Sequence, residues 1–134
     1  MAARSKARKR ALDILYAADL RDETPSEALE RVITADGAPS NDYTSVLVQG
    51  VAEHAVRIDE LISEHATDWT IERMPAVDRN VLRLAVWELL WADDVPAHVA
   101  MAEAVALVRE LSGDESPTFV NGVLGAIDRS GATA

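Results

Sequence analysis

AVDRNVLRLAVWELLW, residues Ala76–Trp91, decides the fold. Ten of the fifteen residues from Val77 to Trp91 are apolar. A helix that is apolar nearly all round is buried on every side, so this segment belongs at the centre of a helical bundle. Pro75 stands where such a helix begins, and Asp93-Asp94-Val95-Pro96 stops it. Glu88 is the odd residue, because Leu84, Trp87, Leu89, Leu90 and Trp91 surround it. It reads as a catalytic acid of raised pKa, as a rim residue, or as the partner of an arginine such as Arg83.

Helical periodicity extends outward in both directions. Residues 5–20 place Ala7, Ala11, Ile14, Leu15 and Ala18 on one face, with Leu12 and Tyr16 beside them. Thr24-Pro25-Ser26 breaks that helix, and Ser26 is placed to cap a short second one carrying Ala28, Leu29, Val32 and Ile33. Asp36-Gly37-Ala38-Pro39 ends it. Residues 42–66 read as one continuous helix, capped by Asn41 or Asp42 and about 37 Å long at about 1.5 Å per residue. Beyond the central segment, residues 98–111 form another helix with Gly113 as its stop. Ser116-Pro117 then starts the last helix as N-cap and first-turn proline, with Val120, Leu124 and Ile127 on one face. No segment alternates with period two. The expectation is an all-α fold of six or seven helices in a single domain over residues 1–134, with 130–134 a disordered end.

Several chemistries are excluded or disfavoured. The 134 residues contain no cysteine, which removes disulfides, thiol catalysis and Cys-ligated metal sites. Nothing calls for an oxidising compartment, a signal peptide or a membrane span, so a cytoplasmic location is the default. No lysine follows Lys9, so a phosphate-binding loop of the Walker type is impossible. His54 and His65 lie 11 residues apart, about 16 Å along one helix, too far to share a metal. They read as core or boundary histidines. The chain therefore reads as a binding protein with no catalytic residue, no metal and no cofactor.

Charge is the most informative feature. Thirteen Lys and Arg against 23 Asp and Glu give a net charge of −10. Five of those cations, Arg4, Lys6, Arg8, Lys9 and Arg10, fall within seven positions, and the remainder of the chain carries 8 cations against 23 acids, or −15. Residues 1–10 are thus a basic arm entering the first helix of an acidic body. The positive end of a helix dipole disfavours cations there, so the patch invites an external anion. A phosphate backbone fits, and its binding would be strongly salt-dependent. A solubilising tail, or one paired with the acidic body, is the competing reading. Tyr16 and Phe119 are aromatic groups that either stack on unpaired bases or fill the core. Gly122, inside a helical stripe, admits close approach of another helix or an exposed backbone at a binding surface.

RKRALDILY (Arg8–Tyr16), Val48-Gln49-Gly50-Val51, VDRNVLRLAVWELL (Val77–Leu90), Val95-Pro96, Glu103-Ala104-Val105 and FVNGVL (Phe119–Leu124) together resemble the NusB family of bacterial transcription antitermination factors. The resemblance spans residues 4–128. It implies two small helical bundles packed around a long central helix. It also implies binding of boxA RNA in nascent rRNA leader transcripts together with ribosomal protein S10 (NusE), within an RNA polymerase antitermination complex. Carried over by position, it implies RNA contacts at Arg4, Lys6, Arg8, Lys9, Arg10, Tyr16 and Phe119, with Arg79 a weaker candidate. Ser5 and Lys6 depart from an unbroken arginine run. Some members form homodimers, so a homodimer is a further partner form. A protein-binding scaffold, or the detached RNA-binding module of an rRNA methyltransferase, is the alternative reading.

Overall fold

In the computed structural model, which describes residues 2–132, seven α-helices and one 3-10 turn follow one another, and no strand occurs among the described residues. The helices are α1 (Ala3–Arg21), α2 (Pro25–Asp36), α3 (Asp42–Glu53), α4 (Ala55–His65), α5 (Ala76–Trp91), α6 (Ala97–Leu111) and α7 (Ser116–Arg129), with the 3-10 turn at Ile71–Arg73 before α5. No helix among the described residues is long and apolar enough to cross a membrane. Of the stretch expected to be disordered, Ser130–Ala132 continue from α7, with the Ser130 hydroxyl donating to the Ile127 carbonyl, while residues 133 and 134 lie outside the described residues.

The apolar character of α5 has the consequence its sequence implies. This helix packs against α1, α3, α4, α6 and α7. Val81, Leu82, Leu84, Ala85 and Val86 are all at most 1% exposed. The helices α1, α2 and α3 form one bundle against α5, and α4, α6 and α7 form a second. Burying a helix on all sides also buries its polar residues, and Asp78, Asn80 and Glu88 are each no more than 1% exposed. Each must then find partners within the protein. Asp78 accepts from the hydroxyls of Ser112 (2.5 Å) and Ser116 (2.7 Å), which ties α5 to the α6–α7 connection.

Residues 42–66 are not one helix. The chain bends at His54 (φ −118, ψ 21), which separates α3 from α4. Backbone bonding continues across the bend, since His54 N–H donates to Gly50 and its carbonyl accepts from Ile58. The reason lies in the partners: both helices pack on α5, but α3 also packs on α1 and α2, whereas α4 packs on α7. One apolar stripe serves two bundles and must turn between them. The His54 ring stacks on Trp91, with centroids 4.2 Å apart, and so fixes the bend to the end of α5.

Three helix boundaries also differ from expectation. The cap of α2 is Thr24 rather than Ser26: its hydroxyl accepts from Glu27 N–H while its own N–H donates to the Glu27 carboxylate, with Pro25 in the first turn. Asn41, of the two candidates, caps α3. Ser116 is the first residue of α7 rather than its cap, because its hydroxyl is spent on Asp78. Gly113 is not the stop of α6, since Ser112 leaves the helix in an extended conformation (φ −128, ψ −166).

Two glycines can be separated by what surrounds them. A Cβ on Gly50 would lie 2.2 Å from the indole of Trp87, so only glycine lets α3 approach α5 this closely. A Cβ on Gly122 would meet nothing within 4 Å, so helix packing does not explain that glycine. Gly50→Ala is expected to destabilise the fold by about 2–3 kcal/mol through overpacking. Gly122→Ala is expected to stabilise it by about 0.5–1 kcal/mol through helix propensity. Urea unfolding followed by circular dichroism checks both, and a neutral Gly50→Ala would refute the packing account.

Candidate nucleic-acid interface

The basic arm is helical from Ala3 onward, although its local signals oppose a helix. Ala2 offers no side-chain cap, and the first turn holds no acid. Cations at this end face the positive pole of the dipole. Neighbouring elements supply what the segment lacks. Asn41 donates its side-chain amide to the Ala3 carbonyl (3.2 Å), and the Thr44 hydroxyl donates to the Ala7 carbonyl (3.1 Å). The Ser5 hydroxyl donates to Glu103 on α6.

Arg8 is the anchor. Its guanidinium donates in bidentate fashion to Glu88, Nε to Oε1 at 2.8 Å and Nη2 to Oε2 at 2.9 Å, and its Nη1 reaches Glu103 at 2.8 Å. The side chains of Arg8 and Glu88 are only 4% and 1% exposed. The Tyr43 hydroxyl donates to the same Glu88 carboxylate. Burial, reinforced by the facing carboxylate, pushes the Tyr43 phenol well above its usual range, so it stays protonated and donates. Burial by itself would lower the pKa of Arg8, but the hydrogen bonds and charges of Glu88 and Glu103 more than reverse that. Glu88 therefore pairs with Arg8 and not with Arg83. Arg83 and Glu88 are five residues apart on one helix and project from different faces, and Arg83 instead bonds Asp59 at 2.9 and 3.2 Å.

The other arm cations lie nearer the surface. Arg4 bonds Asp94 (2.9 Å) and sits 4.1 Å from the centroid of the Tyr43 ring, while Lys9 bonds Glu110 on α6 (2.6 Å). The Arg4 hydrogen bond holds the Asp94 carboxyl below its ordinary range. Lys6 and Arg10 are exposed. Tyr16 is not a core aromatic; it stands 37% exposed on α1. Seven residues separate it from Lys9, which puts the two on one stripe about 10 Å apart along the helix.

The remaining candidates sit elsewhere. Arg79 lies at the opposite end of α1, where its guanidinium bonds Asp19 and the Met74 carbonyl (3.1 Å). Asp19 also accepts from Asn80 (2.9 Å) and faces Arg83. Burial would raise the Asp19 carboxyl, but these donors hold it below its ordinary range. Phe119 is half-buried on α7 and meets Trp69 edge-on at 4.9 Å. It lines an open groove of about 650 Å³ together with His65, Trp69 and Gly122. Among the described residues, no three His, Asp or Glu side chains are grouped to hold a metal.

Sequence reasoning missed Tyr43, Asp94, Glu103 and Glu110 as partners of the arm. One signal was available. Glu88 is a lone acid in an apolar helix and requires a cation, and Arg8 is the arm cation flanked by Ala7, Ala11 and Leu12 of the buried stripe.

Comparison with known proteins places these features in a family. A NusB family sequence model matches residues 5–129. The transcription antitermination protein NusB of a Nocardioides species is 63% identical over 130 residues, covering 97% of this chain and 96% of that protein. The T. maritima NusB structure superposes with a TM-score of 0.84 at 31% identity, covering 96% of this chain and 92% of that one. A crystal structure of antitermination factors NusB and NusE in complex with double-stranded RNA superposes with a TM-score of 0.81 at 34% identity, over 95% and 96% of the two chains.

Two outcomes test the electrostatics. Arg8→Ala leaves Glu88 buried without its cation and is expected to cost about 3–5 kcal/mol, whereas Arg8→Met with Glu88→Leu and Tyr43→Phe recovers most of it. Denaturant unfolding separates the two. The lowered pKa of Asp19 stabilises the fold above the unfolded carboxylate range and is lost as pH falls through the folded value. Asp19→Asn is therefore expected to lower the melting temperature at pH 7 and to leave it nearly unchanged near pH 2. An equal loss at both values would assign the effect to packing.

Proposed function

This chain belongs to the NusB family of transcription antitermination proteins, and from that premise we propose that it binds boxA RNA of nascent rRNA transcripts together with ribosomal protein S10 (NusE). It acts in the cytoplasm, within an antitermination complex on RNA polymerase. The role is that of a binding factor, not of an enzyme. The observation that carries this reading is the cationic start of α1, packed on a body of opposite charge with Lys6 and Arg10 left exposed. The related structure containing NusB, NusE and double-stranded RNA supports it.

The arm residues Arg4, Lys6, Lys9 and Arg10 supply positive charge to the RNA backbone. Arg8, with its guanidinium committed to Glu88 and Glu103, acts through them by fixing the start of α1. Tyr16, exposed on the same helix, offers a face for stacking, and Phe119 offers another at the edge of its groove. Arg79 is engaged with Asp19 and contributes by positioning the far end of α1. The acidic body, at −15 outside the arm, attracts a basic protein partner and disfavours RNA elsewhere. Antitermination follows from tethering RNA and S10 to the elongating polymerase.

Fluorescence anisotropy tests this with a labelled boxA-like single strand, a scrambled strand and a duplex, with and without S10, at two salt concentrations. BoxA is expected to bind more tightly than the scrambled strand, with S10 strengthening the preference and salt weakening binding. Equal weak binding to all strands, indifferent to S10, would leave only a helical scaffold with a basic arm.

A further inference from the structure

The chain has only two lysines, Lys6 and Lys9, against 11 arginines, and it has no cysteine. Guanidinium groups stay protonated in proteins. Side-chain amines and thiols that can attack an electrophile therefore number two, and both stand in the first half of α1. Their surroundings differ. Lys9 Nζ donates to Glu110 on α6 at 2.6 Å, and that hydrogen bond, with the carboxylate charge, raises its pKa. Lys6 is exposed, and its side chain has no hydrogen bond or ion pair among the described residues. It lines a groove of about 420 Å³ between the start of α1 and the α2–α3 connection. Arg10 lines the same groove. It stands one turn further on, about 6 Å along the helix axis. Ser40, on the other wall, has a hydroxyl with no partner among the described residues. No carboxylate lines the groove, although the chain has 23 acids.

We propose that Lys6 is the acyl acceptor of this chain, modified by a small acyl phosphate whose phosphate is held by Arg10 and the Ser40 hydroxyl. An acyl phosphate carries its dianionic phosphate one bridging oxygen away from an electrophilic carbonyl carbon. A guanidinium takes the phosphate in bidentate fashion, and the free amine one helical turn away meets the carbonyl. The groove is set before the ligand arrives, because Asn41 donates to the Ala3 carbonyl and Thr44 to the Ala7 carbonyl. In the reaction the Lys6 ammonium gives one proton to water, and its Nζ attacks the carbonyl carbon. The amide C–N bond forms as the C–O bond to phosphate breaks, and its electron pair leaves on inorganic phosphate with the amine's second proton. Lys9 is a poorer acceptor, since its amine must first leave Glu110. The product carries a neutral amide where an exposed ammonium stood. Arg4, Arg8 and Lys9 keep their acids, so the change is one of charge and not of fold. One consequence rests on the RNA-binding reading above: the arm loses one of its two unpaired cations, and RNA binding weakens.

The test incubates the full chain with acetyl phosphate, and separately with the uncharged reagent N-acetoxysuccinimide, and follows each lysine by mass spectrometry of its peptides. Acetyl phosphate is expected to modify Lys6 at least about fivefold faster than Lys9, the factor that an exposed ion pair of ordinary strength supplies. Glu110→Gln should speed Lys9 severalfold and leave Lys6 as it was. Arg10→Ala should slow Lys6 severalfold toward acetyl phosphate and much less toward the uncharged reagent, and inorganic phosphate should compete with acetyl phosphate alone. Equal rates at Lys6 and Lys9, or an Arg10→Ala that slows both reagents alike, would overturn the proposal. For the consequence, Lys6→Gln puts a neutral amide in place of the ammonium. It is expected to reduce the slope of log K against log salt for the boxA-like strand by about 0.7, one phosphate contact on a single strand. A chain that is acetylated at Lys6 but binds no RNA refutes the function proposed above and keeps the acceptor. A chain that binds RNA but is acetylated equally at both lysines does the reverse.

Discussion

One buried ion pair, Arg8 with Glu88, holds the first helix in register with the central one. Glu88 is placed on a helix that has no solvent-facing side at that point, so its charge must be met from within. Arg8 meets it from α1, Tyr43 adds a hydroxyl from α3, and Glu103 on α6 takes the third guanidinium nitrogen. Four helices thus share one small polar centre. Such a centre is a poor source of net stability, because desolvation offsets much of the attraction. It is a good source of specificity, since a shift of α1 by one residue would leave a buried charge alone. Everything on the outer face of α1 takes its position from that register.

The same centre changes the meaning of the basic arm. Taken as sequence, five cations in seven positions look like one patch. Folded, they are a buried anchor, two surface pairs and two free charges. Helix geometry makes this division unavoidable: residues 100° apart cannot all face solvent on a helix that buries Ala7, Ala11 and Leu15. The acids of α5 and α6 then sort the cations by face, and an acidic body leaves one basic face open to an external anion.

Much of the fold was legible because α5 is apolar nearly all round, and that pattern has few alternatives. The bend at His54 was not legible. The apolar stripe runs through it without interruption, and the bend follows from the different partners of α3 and α4. The caps were misplaced by a residue or two for a similar reason. A serine followed by helix-forming residues is an adequate cap, and only the reciprocal Thr24–Glu27 bonds and the demand of Asp78 on Ser116 choose otherwise. Of the candidate site, the arm and its residue types were legible, as was the aromatic at Tyr16. Which arginine was buried depended on contacts across 80 residues or more, which spacing does not report.

That separation has a consequence for synthesis. The bond from Arg8 to Glu103 spans 95 residues. At about 5–20 residues per second, the ribosome needs roughly 5–19 seconds to travel between them. The acids that pair with the amino-terminal cations follow late and in order, Glu88, Asp94, Glu103 and Glu110, so for most of that interval the cations have been made and those acids have not. The nascent chain thus emerges as a loose polycation, attractive to any nearby polyanion, and becomes discriminating only when α6 arrives. The last third of the chain serves as a clock on the first ten residues.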